Sequence, residues 1–157
     1  MKEIWMAQYG LVQSARSVLL EYCDTLSPQH FVASTPGFGH DGSIRNLLVH
    51  NANTYQYWIG CHCFGRTIQY PPYENFTTVS ECRIYFNSVD DLVVTFIDQF
   101  GEVYATDITS FRRDKPTTAT PLAVFTHVTT HEFHHKGQIL SMSRHMGYIP
   151  VDTDIIR

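Results

Sequence analysis

Apolar residues recur along this chain at helical spacing. Trp5, Val12, Leu19 and Leu26 stand seven apart, with Leu11, Ala15, Val18 and Tyr22 beside them, which predicts a first helix over about 4–26. Pro28 follows and is read as closing it. Residues 27–42, with Pro36, Gly37, Gly39 and Gly42, read as a loop. Ile44, Leu47, Leu48, Tyr55, Trp58 and Ile59 predict a second helix over 43–60. Residues 62–77 hold Gly65 and the Pro71-Pro72 pair and read as irregular. Thr78 and Glu81 form a capping box. Behind it Val79, Cys82, Phe86, Val89, Val93, Phe96 and Phe100 recur at alternating spacings of three and four. A period-2 strand cannot present that stripe, so a third helix is predicted over 78–102. The fourth starts with Thr120 as N-cap and Pro121 at the first helical position, and runs over 121–146 to Gly147. Nothing reads strongly as a strand, and 103–118 is either loop or a short hairpin.

Four long amphipathic helices predict an all-α fold, a four-helix bundle in one domain over 1–157. The connection at 62–77 can reach roughly 50 Å when extended, whereas a 20-residue helix is about 30 Å long. It can therefore cross the bundle and set helices two and three parallel.

Composition narrows the function classes. Hydrophobic residues are 43% of the 157, charged residues only 17%, and the difference is made up by aromatics (13%) and nine histidines. Disorder is excluded by that apolar content. A net charge of -4 supplies no general cationic surface for nucleic acid, which is not an expected partner. No apolar run approaches a membrane span, and residues 1–10 carry no signal-peptide core, so a cytoplasmic protein away from membranes is expected. Cys23 and Cys82 sit in apolar stretches and read as buried thiols. Cys61 and Cys63 flank His62, but the spacing does not suit a zinc finger and no second cysteine pair completes four ligands.

Five histidines fall between 127 and 145 on the fourth helix. His131 and His135 are i and i+4 and share one face. Val124, Val128, Gln138 and Met142 share it too, so this reads as the core-facing stripe. Two stacked neutral imidazoles there need partners. A metal ion taking both lone pairs supplies them; separate hydrogen bonds are the plainer alternative. His127, His134 and His145 project to one side and read as flank or interface residues. His30 and His40 lie near the Pro/Gly loop without a spacing signal.

His131-Glu132-Phe133-His134-His135 matches the H-E-x-x-H pattern of zinc proteases. The extended form requires glycine and histidine where this chain has Gln138 and Ser141, and no glutamate follows Glu132. A third ligand must then come from another helix. His50, mid-helix beside Leu47, Asn51 and Trp58, is the candidate. Together with His131 and His135 it gives a three-histidine site built from facing helices.

Gly42-Ser43-Ile44-Arg45-Asn46-Leu47-Leu48-Val49-His50 followed by His131-Glu132-Phe133-His134-His135-Lys136-Gly137-Gln138-Ile139 resembles the DinB-like (DinB/YfiT) metalloenzymes. The resemblance spans nearly the whole chain, with Lys136 where arginine is expected. It implies an up-down-down-up four-helix bundle, a divalent metal on His50, His131 and His135, and a homodimer. Aromatic residues Tyr70, Tyr73, Phe76 and Phe111, in segments a lone bundle need not bury, read either as that interface or as loops packed over the bundle's open end.

Three neutral imidazoles leave an ion its full charge, which lowers the pKa of a bound water or thiol towards neutrality. Relatives similar to thiol-dependent transferases make a low-molecular-weight thiol transferase the leading expectation, with a metal-dependent hydrolase beside it. The ion is expected to be zinc or nickel, since imidazole suits both, and the substrate a small molecule, such as a thiol. Glu132 is a candidate base or supporting group, against a solvated helix-face glutamate. Gln138 is a candidate for orienting water or substrate. The alternative is a non-catalytic, stress-related metal- or ligand-binding bundle. A nuclease would need phosphate-binding cations, and the only cluster, Arg112, Arg113 and Lys115, reads as a solvated loop.

Overall fold

The structure, a computed structural model, describes residues 1–38, 42–112 and 114–157. It is mostly helical, with one small hairpin. Helix α1 spans Lys2–Cys23 and buries Trp5, Tyr9, Val12, Arg16, Leu19 and Cys23 at spacings of four and three. A short helix, α2 (Pro28–Val32), follows where a loop was expected. Pro28 opens this helix rather than merely closing the previous one. The Ser27 side chain accepts from the His30 backbone N–H at 3.2 Å, and proline suits the first turn because its missing N–H would be unpaired there anyway.

Helix α3 (Ile44–Tyr55) is capped by Ser43, whose hydroxyl accepts from Asn46 N–H at 3.1 Å. It does not stop near residue 60. The chain continues in wider π-helical turns over Gln56–Cys63, which places His62 and Cys63 on a helix instead of in the irregular segment. Such turns recur at functional sites. Gly60 permits the packing here: a β-carbon on it would lie 2.5 Å from Ile68 Cδ1, in the connection that follows. That connection has a single 3-10 turn at Tyr73–Asn75. Phe76 is buried in the core and Tyr73 packs against it, so these two aromatics cover the helices and are not part of an open patch. Phe111 is 75% exposed.

Helix α4 (Val79–Phe100) carries the capping box: Glu81 Oε2 accepts from Thr78 N–H at 2.8 Å, and Thr78 Oγ1 accepts from Glu81 N–H at 3.3 Å. Its buried face is the expected one, through Cys82, Phe86, Val89, Val93 and Phe96. Of the two readings of 103–118, the hairpin is found: β1 (Ile108–Arg112) pairs antiparallel with β2 (Lys115–Ala119), Ile108 opposite Ala119. Helix α5 (Pro121–His145) starts at Thr120, whose hydroxyl accepts from Ala123 N–H at 3.1 Å. It stops at Gly147, whose φ of +89° is the left-handed turn favoured by glycine.

Side-chain pairs fix which helices meet. Lys2 binds Asp98, Tyr9 binds Asp90 and Asp24 binds Arg83 along α1 and α4. Along α1 and α5, Trp5 stacks on Phe125 at 4.9 Å and Tyr22 donates to Ser143 at 2.8 Å. Asn53 accepts from Tyr85, and Gln56 donates to Ser88, between α3 with its π-helical extension and α4. The fully buried Trp5, Tyr9, Tyr55, Phe96 and Phe125 occupy the space between them. Among the described residues, no helix is long and apolar enough to cross a membrane.

Candidate metal centre

His50 projects from the middle of α3 towards α5, where His131 and His135 stand one turn apart. The three Nε2 atoms converge. His50 Nε2 lies 3.0 Å from His131 Nε2, which lies 3.0 Å from His135 Nε2. Ring centroids are 5.1 Å apart for His50 and His131, 4.7 Å for His50 and His135, and 4.4 Å for His131 and His135. Among the described residues this is the only group of three or more such side chains whose ligand atoms all lie within 4.8 Å of one another.

This donor set fits a divalent ion. Imidazole nitrogens about 2.0–2.1 Å from a tetrahedral ion stand roughly 3.3 Å from each other, close to the spacing observed. The tautomer of His135 agrees: its Nδ1 hydrogen goes to Gln138 Oε1 at 2.6 Å, so its Nε2 carries the lone pair that faces the cluster. Removal from water, reinforced by the neighbouring imidazoles, lowers the His131 ring to about 4, and burial lowers His50 and His135 as well. All three are therefore neutral at pH 7, as ligands must be.

The cluster is not where the sequence put it. His131 and His135 are half-buried and His50 is exposed, while the buried stripe of α5 runs through Phe125, Val128, Glu132, Lys136 and Ile139. Val124, Val128 and Met142 are fully buried as read, but the histidines beside them are only partly covered, so they border the core instead of pointing into it. The plainer scheme of separate hydrogen bonds holds only for His135, through Gln138.

Of the readings of Glu132, as base, supporting group or solvated helix-face glutamate, the solvated one does not hold. It is 5% exposed, and Arg16, 4% exposed, grips both its oxygens, Nε to Oε1 at 2.7 Å and Nη2 to Oε2 at 2.9 Å. The Tyr55 hydroxyl donates to Oε2 at 2.6 Å. Arg16 Nη1 reaches Asp90 Oδ1 at 2.6 Å, and the Tyr9 hydroxyl donates to that same oxygen at 2.6 Å. One polar network thus joins α1, α3, α4 and α5 directly behind the histidines. Sequence reasoning missed it, although Arg16 stands in register with Tyr9, Val12 and Leu19 on the apolar stripe of α1. A charge in that register was the available signal.

The remaining candidates lie outside the cluster. His127 packs on Trp58 at 5.1 Å and on His131 at 5.5 Å, and His134 on His135 at 4.9 Å. His145 meets Phe38, and His30 shares a hydrogen bond with the Tyr148 hydroxyl at 2.9 Å. His62 is buried, with Nδ1 2.5 Å from Ser110 Oγ on β1, and Cys61 approaches Tyr70. Cys23 and Cys82 are buried thiols, as expected; burial raises Cys82 to about 12. His40 and Arg113 fall outside the described residues.

Helices that meet through a three-histidine cluster define a helical protein with a candidate metal centre between α3 and α5. The model of the DinB family matches residues 4–157, so the chain belongs to the DinB family. No curated protein matches it.

Proposed function

We propose that this protein is a divalent-metal-dependent enzyme whose ion is held by His50, His131 and His135. The single observation that carries this reading is the convergence of three neutral Nε2 atoms from two helices at 3.0 Å spacing. The ion is zinc or nickel. When bound, it lowers the pKa of a water or thiol brought to it and so supplies a nucleophile at neutral pH. The favoured reaction is transfer to a low-molecular-weight thiol, with metal-dependent hydrolysis as the sister chemistry.

The protein's own residues supply position. Gln138 fixes the ring of His135. Glu132 is buried, paired with Arg16, and accepts three hydrogen bonds from Arg16 and Tyr55, so it serves as a brace next to His131 and not as the base. The pairs that join α1 to α4 run in opposite directions, those between α3 and α4 in the same direction, and those between α1 and α5 in the same direction. They support an up-down-down-up four-helix bundle, and we read residues 1–157 as one such domain. Exposed Phe111 supports a homodimer, and four free cysteines suit a reducing compartment such as the cytoplasm.

Elemental analysis of protein purified without an affinity tag is expected to find about one equivalent of zinc or nickel. His50→Ala, His131→Ala and His135→Ala should each weaken it by more than about tenfold, and His134→Ala should not. Full occupancy in His50→Ala overturns the three-ligand scheme. If stripping the ion lowers thermal stability but no thiol transfer or hydrolysis depends on it, the site is a structural brace in a non-catalytic bundle.

A further inference from the structure

An open cavity of about 480 Å³ adjoins the cluster, with His50 and His131 in its lining. That volume lies in the range of small-molecule sites. Tyr57, Trp58 and Tyr70 make up much of its wall, together with His127. Trp58 meets Tyr57 edge to face at 5.3 Å and His127 at 5.1 Å, so the rings brace one another in a fixed array. Two polar side chains complete the lining. Asn53 Oδ1 accepts from the Tyr85 hydroxyl at 2.7 Å, which leaves its amide NH2 as a donor. Thr54 spends its hydroxyl hydrogen on the His50 carbonyl at 2.9 Å, which leaves that oxygen as an acceptor.

Among the described residues, no lysine, arginine, aspartate or glutamate lines this cavity. The nearby carboxylate of Glu132 is already neutralised by Arg16. A ligand carboxylate or phosphate entering between the rings would lose water and meet no cation, which is costly. Imidazole binds a metal as a neutral ligand, so an ion held there would keep its two positive charges, and one anionic group is favoured at that end alone.

We propose that the cavity takes a substrate with a neutral aromatic body and a single anionic donor head, such as a thiolate, seated at the histidine cluster. This rests on the metal-centre reading above. Ring stacking supplies affinity for the body, and Asn53 and Thr54 accommodate an uncharged polar substituent on it.

The test compares three thiols on the cobalt(II)-loaded protein by its thiolate charge-transfer band. Benzyl mercaptan should bind about tenfold or more tightly than 4-(mercaptomethyl)benzoate and than 2-mercaptoethanol. Trp58→Leu should narrow its lead over 2-mercaptoethanol to less than about threefold. Equal or tighter binding of the carboxylate compound, or an undiminished preference in Trp58→Leu, overturns the proposal. The body is read separately on metal-free protein, where benzyl alcohol should shift the Trp58 indole resonance and benzoate should not. Absence of that shift overturns the proposal even if cobalt binds. Failure to bind cobalt with the shift intact overturns the metal-centre reading and supports the aromatic body on its own.

Discussion

Arg16 and Glu132 face each other across the interior as a two-pronged ion pair, 2.7 Å and 2.9 Å between donors and acceptors. Both are buried, which makes their balance sharply asymmetric. Together they satisfy each other, with Tyr55 and Asp90 completing the set. Removing Glu132 leaves the buried Arg16 with both of its carboxylate contacts to α5 lost and the more exposed Asp90 as its remaining acidic partner. Glu132→Ala should therefore cost about 3–5 kcal/mol, whereas an exposed pair would cost under about 1 kcal/mol. The double variant Arg16→Met with Glu132→Leu should recover most of that loss. Urea denaturation decides it, and a loss below about 1 kcal/mol for Glu132→Ala would sink the account.

Gln138 acts on the cluster through His135. Its Oε1 holds the Nδ1 hydrogen at 2.6 Å and keeps the Nε2 lone pair aimed at the other two rings. Gln138→Leu should keep the helix, since the side chain is only half-buried, yet weaken metal binding by about 10–100-fold. Competition with a chromogenic chelator measures the affinity, and far-ultraviolet circular dichroism checks the fold. Unchanged affinity would mean that the ring is held by packing alone.

The helices were legible in the sequence because their apolar spacing and caps agree. Thr78 with Glu81 and Thr120 with Pro121 mark starts that the structure reproduces within a residue. His50, His131 and His135 were legible for a related reason: an i,i+4 pair on one helix leaves few places for a third donor. The burial of His131 was misread because α5 has two adjacent rows of suitable residues. Val124, Val128 and Met142 are fully buried as read, but the buried face also takes in Glu132 and Lys136, each holding a partner from elsewhere in the chain. Polarity at those positions hid the full width of the core face, and only tertiary pairing with Arg16 and Thr153 reveals it. The π-helical turns had no local signal, since Gly60 followed by Cys61 reads as a helix end unless the contact with Ile68 is known.

The cluster should respond to pH in a defined direction. Burial, together with the neighbouring imidazoles, lowers His131 from 6.5 to about 4, and burial lowers His50 and His135 too. In the metal-free protein the unfolded chain then binds more protons than the folded one between those limits. Its stability is full above about pH 6.5 and falls as pH drops towards about 4. Metal binding at pH 7.5 should release almost no protons from these rings, because they are already neutral. Calorimetric titration in two buffers of different ionisation enthalpy reads this directly. A release clearly above one proton per ion, more than ionisation of a metal-bound water supplies, would show that a ligand is protonated in the free site.

Lys136 ties the C-terminal segment to α5 in a way that can be separated from the cluster. Its Nζ donates to the Thr153 carbonyl at 2.5 Å and sits 3.9 Å from the centre of the Phe133 ring. Thr153 is 3% exposed, so its carbonyl has little access to water if the lysine is lost. Further along, Arg157 donates to Ser14 Oγ on α1 at 2.7 Å. The two contacts bracket residues 153–157 against α5 and α1. Lys136→Met keeps most of the side-chain volume over Phe133 but orphans the carbonyl, a loss of about 1–3 kcal/mol. Deleting residues 152–157 removes that carbonyl, so the same substitution should cost much less in the shortened chain. The non-additivity is the signature of direct coupling. Equal costs in the two backgrounds would show that Lys136 stabilises α5 locally and that the segment beyond it is held by other contacts.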